Sequence, residues 1–569
     1  MNEVVDLNVL LQKTNEFISS GAPHLALEIL NNAQPQYKNN SRFWVLMAMT
    51  LDRMGLPDQA VEGYNKALSI DPNNFQALVL LGQRLHGTHC QTESRALFER
   101  ALLINPDSEE ALILSVAGAL FTADLSDRNR LIERVKRFID LKPKLLYLIK
   151  AAYWVPFLDI DYDLERQIWA TIEKTIMQQT KIPAWPIPAR KRMRSKLRIG
   201  YTSPNFGDHA VGQVTRSLYG THDRERFEIY LYSTNPRVGD NSECKSVIGQ
   251  SCDKYIDISG MEITSAQAKI TEDEIDILVD INGYMGATNI IEIFAGRPAP
   301  VQVYWLGHAG ALGLPFYDYI IGDNTVTPPE EDNLYVESIA RLPNTFHCTD
   351  KHEISYEHCH RSNFGLDEEA FVFCAFCNPA KIDPAVFLVW MQILKAVPRS
   401  QLWLSQGKNP AVEINLRRFA ENQGIGKSRL VFSGRIQDKR RHLGRHRLAD
   451  LFLDTFTVNA STMAIDALWA GLPVLTRPGR HFCSRNCTSF LKAVGLEDMV
   501  CGTTEEYISR AVYFGTNPDA ITVVKNRLRE NRESYPLFNI EDFTLHLENA
   551  YQTMWERSLS GKPPKSFPS

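Results

Sequence analysis

The sequence predicts an all-helical repeat array followed by two doubly wound α/β domains. Three observations predict it: a 34-residue period in the first part of the chain, a switch at Leu197 to short apolar strands alternating with helices, and a second such alternation from Phe371. At 569 residues the chain is too long for one core. Its 44% hydrophobic and 23% charged residues are those of an ordinary globular protein, and a net charge of -5 carries no basic footprint, so nucleic acid is not an expected partner. The ten cysteines are scattered, and MNEVVDLNVLLQKTNEF lacks the basic and apolar regions of an export leader. A reducing cytoplasm is the expected compartment, and no apolar run reaches the length of a membrane span.

Residues 1–146 carry the period. Ala33, Ala67 and Ala101 are each 34 residues apart, as are Ala26 and Ala60, and Pro72 and Pro106 close the related phrases KALSIDPNN and RALLINPDS. This is the tetratricopeptide period. Small residues let the helices of a hairpin approach, Tyr64 and Phe98 fill one inter-repeat position, and proline ends the second helix. Lys38 stands where the first repeat would need its proline, and Pro143 is three residues out of register with Pro106, so the ends are worn. A concave array of this kind takes a peptide or a partner protein.

Residues 147–195 read as a connector, with Trp154, Phe157, Leu164, Ile168 and Ile172 at helical spacing and then the proline-rich, basic KIPAWPIPARKRMRSK as a linker. Residues 196–366 form the first α/β domain. LRIGYTS, FEIYLYS, IDILVDI and VQVYWLG are strands, and a parallel sheet collects ligands at its carboxyl ends. The loops there hold His209, Asn282 and His308.

Residues 367–559 form the second α/β domain, with strands in FVFCAF, SQLWLS, SRLVFSG, LFLDTF and LPVLTR; residues 560–569 read as a frayed tail. Lys381 again follows a strand's carboxyl end. In residues 438–471, Lys439, His442 and Arg445 recur every third residue, on one side of a helix. Asn459, Ser461 and Thr462 then precede an apolar helix whose N-terminus suits an anion, and Asp466 lies one turn inside it, available to a ligand hydroxyl. The stretch suits a diphosphate, and equally a solvated basic helix beside an ordinary capped one.

Taken together, SPNFGDHAVG, RPAPVQVYWLGHAG, CNPAKIDP, HLGRHRLADLFLDTF and DALWAGLPVLT resemble, in order, the motifs of the tetratricopeptide-bearing protein O-GlcNAc transferases and their bacterial and plant relatives. The resemblance covers essentially the whole chain. It implies a GT-B scaffold and inverting transfer of a sugar from a nucleotide to a protein side chain, with a nucleotide sugar (UDP-GlcNAc) as donor and no metal or other cofactor. It assigns Lys381 to the donor's distal phosphate and leaving diphosphate, and Lys439, His442 and Arg445 to the nucleotide. Asp466 is assigned to the ribose, and His209 to the sugar and acceptor site, as general base or as a hydrogen-bonding wall. Asn282 and His308 fall on the acceptor and sugar loops.

The chain departs from the animal pattern in three places. Ser461-Thr462-Met463 stands for His-Thr-Thr, Asn378 for a glutamine ahead of the lysine, and His308 for a tyrosine after WLG. Asn378-Pro379-Ala380-Lys381 is close to the Asn-Leu-Ala-Lys loop of SPINDLY-type relatives, so GDP-fucose, and glucosylation of asparagine, stay open beside UDP-GlcNAc, as does a non-catalytic scaffold. Cys374-x-x-Cys377 and Cys483-x3-Cys487 lack a zinc pattern and read as core thiols. Asp280, Asp318 and Asp323, at strand ends, suit either polarising an acceptor or capping.

Overall fold

The computed structural model describes residues 6–179, 195–235, 242–286, 290–308, 310–357 and 359–569. Most of the proline-rich linker lies outside them. The chain divides into two compact units, Met1–Pro143 with Lys408–Asn415, and Lys144–Gly407 with Leu416–Ser569. Among the described residues no helix is long and apolar enough to cross a membrane.

The first unit is a run of helical hairpins from Leu7–Ser19 to Arg128–Asp140. The alanines of the repeat are its buried contacts: Ala26, Ala60, Ala67 and Ala101 are fully buried, with Tyr64 and Phe98 packed beside them. A second periodic feature, absent from the sequence reading, sets the helix starts. Asn40, Asn74 and Ser108 each accept a backbone N–H three residues on, from Phe43, Ala77 and Ala111. They occupy one phase of the 34-residue period and supply an acceptor for an otherwise orphaned helix donor.

The second unit holds two parallel sheets. The first contains β1 (Leu197–Ser203), β2 (Phe227–Ser233), β3 (Lys254–Asp257), β4 (Ile277–Asp280), β5 (Val301–Tyr304), β6 (Tyr319–Asp323) and β7 (Ser338–Leu342). The second contains β8 (Phe371–Ala375), β9 (Ser400–Ser405), β10 (Leu430–Ser433), β11 (Leu451–Leu453) and β12 (Val474–Leu475). A last short strand, β13 (Phe567–Pro568), returns to the first sheet, whose order is β13-β7-β6-β5-β4-β1-β2-β3; the second runs β10-β9-β8-β11-β12. Two such sheets with covering helices make the GT-B architecture.

Three differences from the sequence reading have physical causes. The strands β3, β6 and β7 were not anticipated; β3 has no fully buried residue, so it lacks the apolar run that marks a strand. The 560–569 segment is not a frayed tail, since Phe567 and Pro568 pair with Ala340 and Arg341, and Ser566 Oγ accepts the Ile339 N–H at 3.0 Å. The helix Ile540–Leu559, placed by sequence order with the second α/β domain, packs in the core of the first sheet through Phe543, Leu547, Tyr551 and Trp555. An amphipathic stripe records that a face is buried, but not against which sheet.

Candidate active site

A cavity of about 310 Å³ opens at the carboxyl ends of β1, β4, β5, β8 and β11, where a parallel sheet places its ligands. His209, His308, Asn378, Lys381, Ser461 and Thr462 all line it. They come from four segments far apart in the chain.

Close backbone approaches build two of the walls. A Cβ on Gly212 would lie 2.2 Å from the Gly207 carbonyl oxygen, and one on Gly307 2.5 Å from the Asn282 Cα, so each loop closes only around glycine. Asp280 gathers the loop after β4: its Oδ1 accepts the Asn282 and Gly283 N–H groups at 2.8 and 3.0 Å, and its Oδ2 accepts the Tyr317 hydroxyl at 2.8 Å. Burial raises its pKa to about 6. Asn282 is fully buried and does not line the cavity; it donates to the Gly283 and Met285 carbonyls and accepts from Asn205 Nδ2 at 3.1 Å. It braces the loop, and Met285 is the residue that reaches the cavity.

The opposite wall is a phosphate-sized turn. Asp454, buried after β11, accepts the Thr455 and Ala460 N–H groups at 2.9 and 2.7 Å and the Thr476 hydroxyl at 2.6 Å, tying down residues 454–460. The helix Thr462–Trp469 follows. Its N-cap, Ser461, has φ 53° and ψ -120° and makes no side-chain cap, so its hydroxyl is left to the cavity. Leu306, on the facing wall, has φ 78°. Left-handed backbone at two non-glycine residues on one cavity is strain held at a functional site. The Thr462 N–H has no partner among the described residues, which leaves a helix-end donor of the kind that suits an anion.

Lys381 sits across from that turn, on the short 3-10 helix Pro379–Lys381. Asn378 starts this helix, its Oδ1 accepting the Ala380 N–H at 3.0 Å, so its amide nitrogen remains to donate. Lys381 Nζ donates to the Asn459 carbonyl at 2.5 Å and forms no ion pair with a carboxylate among the described residues. Burial lowers its pKa below the usual lysine value. With no carboxylate in ion-pair contact and only the more distant Asp454 to offset burial, this half-buried ammonium is costly until an anion arrives.

Of the three histidines on the cavity, His308 and His347 have pKa values lowered to about 4 by burial, so both are neutral at physiological pH. His209 caps the helix Ala210–Thr215, its Nδ1 accepting the Val211 N–H at 3.2 Å. In the neutral ring the proton then sits on Nε2, and the second nitrogen is a donor.

The basic helix Lys439–Arg445 stands apart from this cavity. Lys439 Nζ donates to both carboxylate oxygens of Asp466, at 2.6 and 2.7 Å, and His442 Nε2 lies 3.3 Å from the same group. Burial alone would raise the Asp466 carboxyl, but the Lys439 ammonium, with the His442 ring beside it, holds it well below the usual carboxylate range. Arg445 stacks over the Phe376 ring at 4.1 Å and donates to the Gly434 carbonyl at 3.2 Å. Lys439 lines a second cavity of about 470 Å³, with Gln437, Asp438, Arg216 and His352. The loop bearing His209 borders both: Asp208 and Gln213 face the second cavity, and His209 and Val214 the first.

The strand-end aspartates are committed to structure. Asp318 pairs with Arg297 at 2.9 Å, and Asp323 accepts the Phe346 N–H at 2.9 Å and the Ser489 hydroxyl at 2.7 Å. Burial pushes the Cys377 and Cys483 thiols up to about 12, so they stay protonated, and Cys483 contributes to the cavity wall. Sequence reasoning missed Tyr153, Pro156 and Phe157, which line the cavity from the connector, where aromatic residues at helical spacing resemble ordinary core.

Comparison with known proteins agrees with this geometry. The family model described as glycosyl transferase family 41 matches residues 170–361 and 355–547. A curated relative from Arabidopsis thaliana, the probable UDP-N-acetylglucosamine–peptide N-acetylglucosaminyltransferase SEC, is 34% identical over 65% of this chain and 38% of its own length. The corresponding enzyme of Caenorhabditis elegans is 29% identical over 65% of this chain and 41% of its own length. The probable transferase SPINDLY of Solanum lycopersicum is 30% identical over 71% of this chain and 43% of its own length. The chain thus spans about two fifths of the curated relatives it matches. A solved structure of a mutant O-GlcNAc transferase from Thermobaculum terrenum superposes with a TM-score of 0.77 at 26% identity, covering 92% of this chain and 98% of that one. The family match covers the strands β1 to β12 and every cavity residue except Tyr153, Pro156 and Phe157 of the connector, and the chain belongs to glycosyl transferase family 41.

Proposed function

We propose that this chain is a protein glycosyltransferase that moves N-acetylglucosamine from UDP-GlcNAc to serine or threonine of a protein, with inversion and without a divalent metal. The observation that carries the reading is Lys381: a half-buried ammonium with no carboxylate partner, facing the strained Ser461 turn and the unpaired Thr462 N–H across one cavity. The names of the relatives supply the donor and the acceptor class.

The donor's diphosphate lies between Lys381 and the Ser461–Thr462 turn, its sugar in the first cavity and its nucleoside towards the second. Lys439 lines that second cavity and holds the Asp466 carboxylate, which is assigned to the ribose hydroxyls, and His442 and Arg445 hold the helix of Lys439 in place. An acceptor hydroxyl oxygen bonds to the anomeric carbon from the face opposite the diphosphate. The carbon–oxygen bond to phosphate breaks, the diphosphate leaves with the electron pair, and the acceptor proton passes to solvent water. Negative charge grows on the phosphate oxygens, where Lys381 and the helix-end donors stabilise it without reorganising. His209 acts as a donor from Nε2–H to a sugar or phosphate oxygen rather than as the base, because its Nδ1 is occupied by the Val211 N–H. The repeat array is the surface that takes the acceptor protein or a partner.

The test is a donor screen. Purified full-length protein is incubated with a serine- and threonine-bearing peptide library and UDP-GlcNAc, GDP-fucose or UDP-glucose, and products are read by mass. Addition of one N-acetylhexosamine from UDP-GlcNAc supports the reading. Transfer only from GDP-fucose, or only to asparagine, rejects it.

A further inference from the structure

Apolar groups, Phe157, Leu306 and Met285 among them, line part of the first cavity, and two polar side chains, Tyr153 and His308, line it with them. Tyr153 comes from the connector helix Leu145–Trp154, and His308 from the loop after β5. Their rings lie 6.1 Å apart at 52°. His308 is only 7% exposed, and neither its ring nitrogens nor the Tyr153 hydroxyl has a hydrogen-bond partner among the described residues. Its position is fixed: the Tyr304 hydroxyl accepts the His308 N–H at 2.6 Å and donates to the His308 carbonyl, and the Tyr284 ring packs edge-on at 5.6 Å. A buried imidazole held in place, with a half-buried phenol beside it, both left unpaired on a cavity wall, await a ligand.

Charge decides what kind of ligand group they meet. Burial keeps the His308 imidazole neutral and raises the Tyr153 phenol, so neither is an ion at neutral pH. The only cation on this cavity among the described residues is Lys381, which serves the phosphate end. A neutral donor and acceptor set among apolar groups suits an uncharged hydroxyl or amide on a partly apolar ring.

Resting on the donor reading above, we propose that Tyr153 and His308 together recognise the transferred sugar, hydrogen-bonding an uncharged hydroxyl or acylamino group of it. The connector is then part of the substrate site and not only a spacer between repeats and sheets. The phenol and the imidazole lose these bonds when the sugar is absent, so they discriminate UDP-GlcNAc from UDP.

The test is calorimetric titration of UDP and of UDP-GlcNAc into the full chain, wild type, Tyr153→Phe and His308→Phe, with thermal melting as the check on folding. Tyr153→Phe removes one oxygen and keeps the ring, so a packing role alone leaves both affinities unchanged. The expected result is about tenfold weaker binding of UDP-GlcNAc by each variant with UDP binding unchanged. UDP-GlcNAc affinity unchanged in Tyr153→Phe, or UDP weakened as much as UDP-GlcNAc, overturns the pair while leaving the nucleotide site standing. A folded wild type that binds neither compound overturns the donor reading itself, and the pair with it.

Discussion

Two lysines meet the segment around the helix Thr462–Trp469, Lys439 at Asp466 within it and Lys381 at the Asn459 carbonyl before it, and use their charge in opposite ways. Lys439 is neutralised by both oxygens of Asp466, with His442 alongside, so the cluster is complete before any ligand arrives. Lys381 donates only to the Asn459 carbonyl, and the one carboxyl that acts on it, Asp454, lies beyond ion-pair distance. A paired buried charge holds a surface in shape, and its removal is felt as lost stability. An unpaired one waits for an anion and acts where charge develops. In the proposed function, that difference separates the part of the site that shapes the nucleotide end from the part that meets the reacting bond.

That contrast is broken or sharpened by substitution. The largest effect on stability is expected at the paired end. Asp466→Ala leaves Lys439 and His442 buried without their carboxylate, and the melting midpoint falls by the equivalent of about 3 kcal/mol, with UDP affinity reduced as well. A variant as stable as wild type shows the cluster to be no more than a surface ion pair.

A smaller effect is expected at the connector, which carries Tyr153 into the cavity. Glu165 lies 3.7 Å from His481, with Arg480 and Arg166 as the nearby cations, and burial raises its pKa to about 7. A carboxyl raised on folding binds more protons in the folded chain. Its contribution is full below about pH 4.5 and is lost as pH rises through about 7. The neighbouring His481, lowered by burial, runs the other way. Glu165→Gln is therefore neutral near pH 4 and stabilises the chain at pH 8 by roughly 2 kcal/mol, measured as the difference between denaturant titrations of the two proteins. An equal difference at both pH values contradicts the assignment.

The smallest effect is expected at His209. Asparagine is a good N-cap, so His209→Asn preserves the helix start while removing the imidazole, and kcat falls about tenfold with little change in melting. A loss of many orders of magnitude, with a pH profile that changes shape, restores the histidine as the base.

Much of this site was legible in the sequence, and the reason is local. Lys381, Asn378, Ser461 and Thr462 sit where an apolar strand runs into a polar turn, and a parallel sheet puts such turns together. The repeats were legible because Ala67, Ala101, Pro72 and Pro106 mark a period, although the caps at Asn40, Asn74 and Ser108 were passed over. What failed depends on distant packing. Asn282 has the loop position of a ligand contact, but Asp280 and the approach of Gly307 turn it inward. Tyr153 has the spacing of a core aromatic, and only the folded chain shows its hydroxyl on a cavity. The helix Ile540–Leu559 and the strand Phe567–Pro568 complete a sheet begun more than two hundred residues earlier, which no local pattern records.

The central claim is that the unpaired Lys381 serves the leaving diphosphate. Steady-state turnover of UDP-GlcNAc by wild type and Lys381→Ala, with melting of both proteins measured in the same buffer, tests it most directly. The account predicts a fall in kcat of about a hundredfold or more with the folded state retained. Unchanged kcat in a folded Lys381→Ala protein would contradict it.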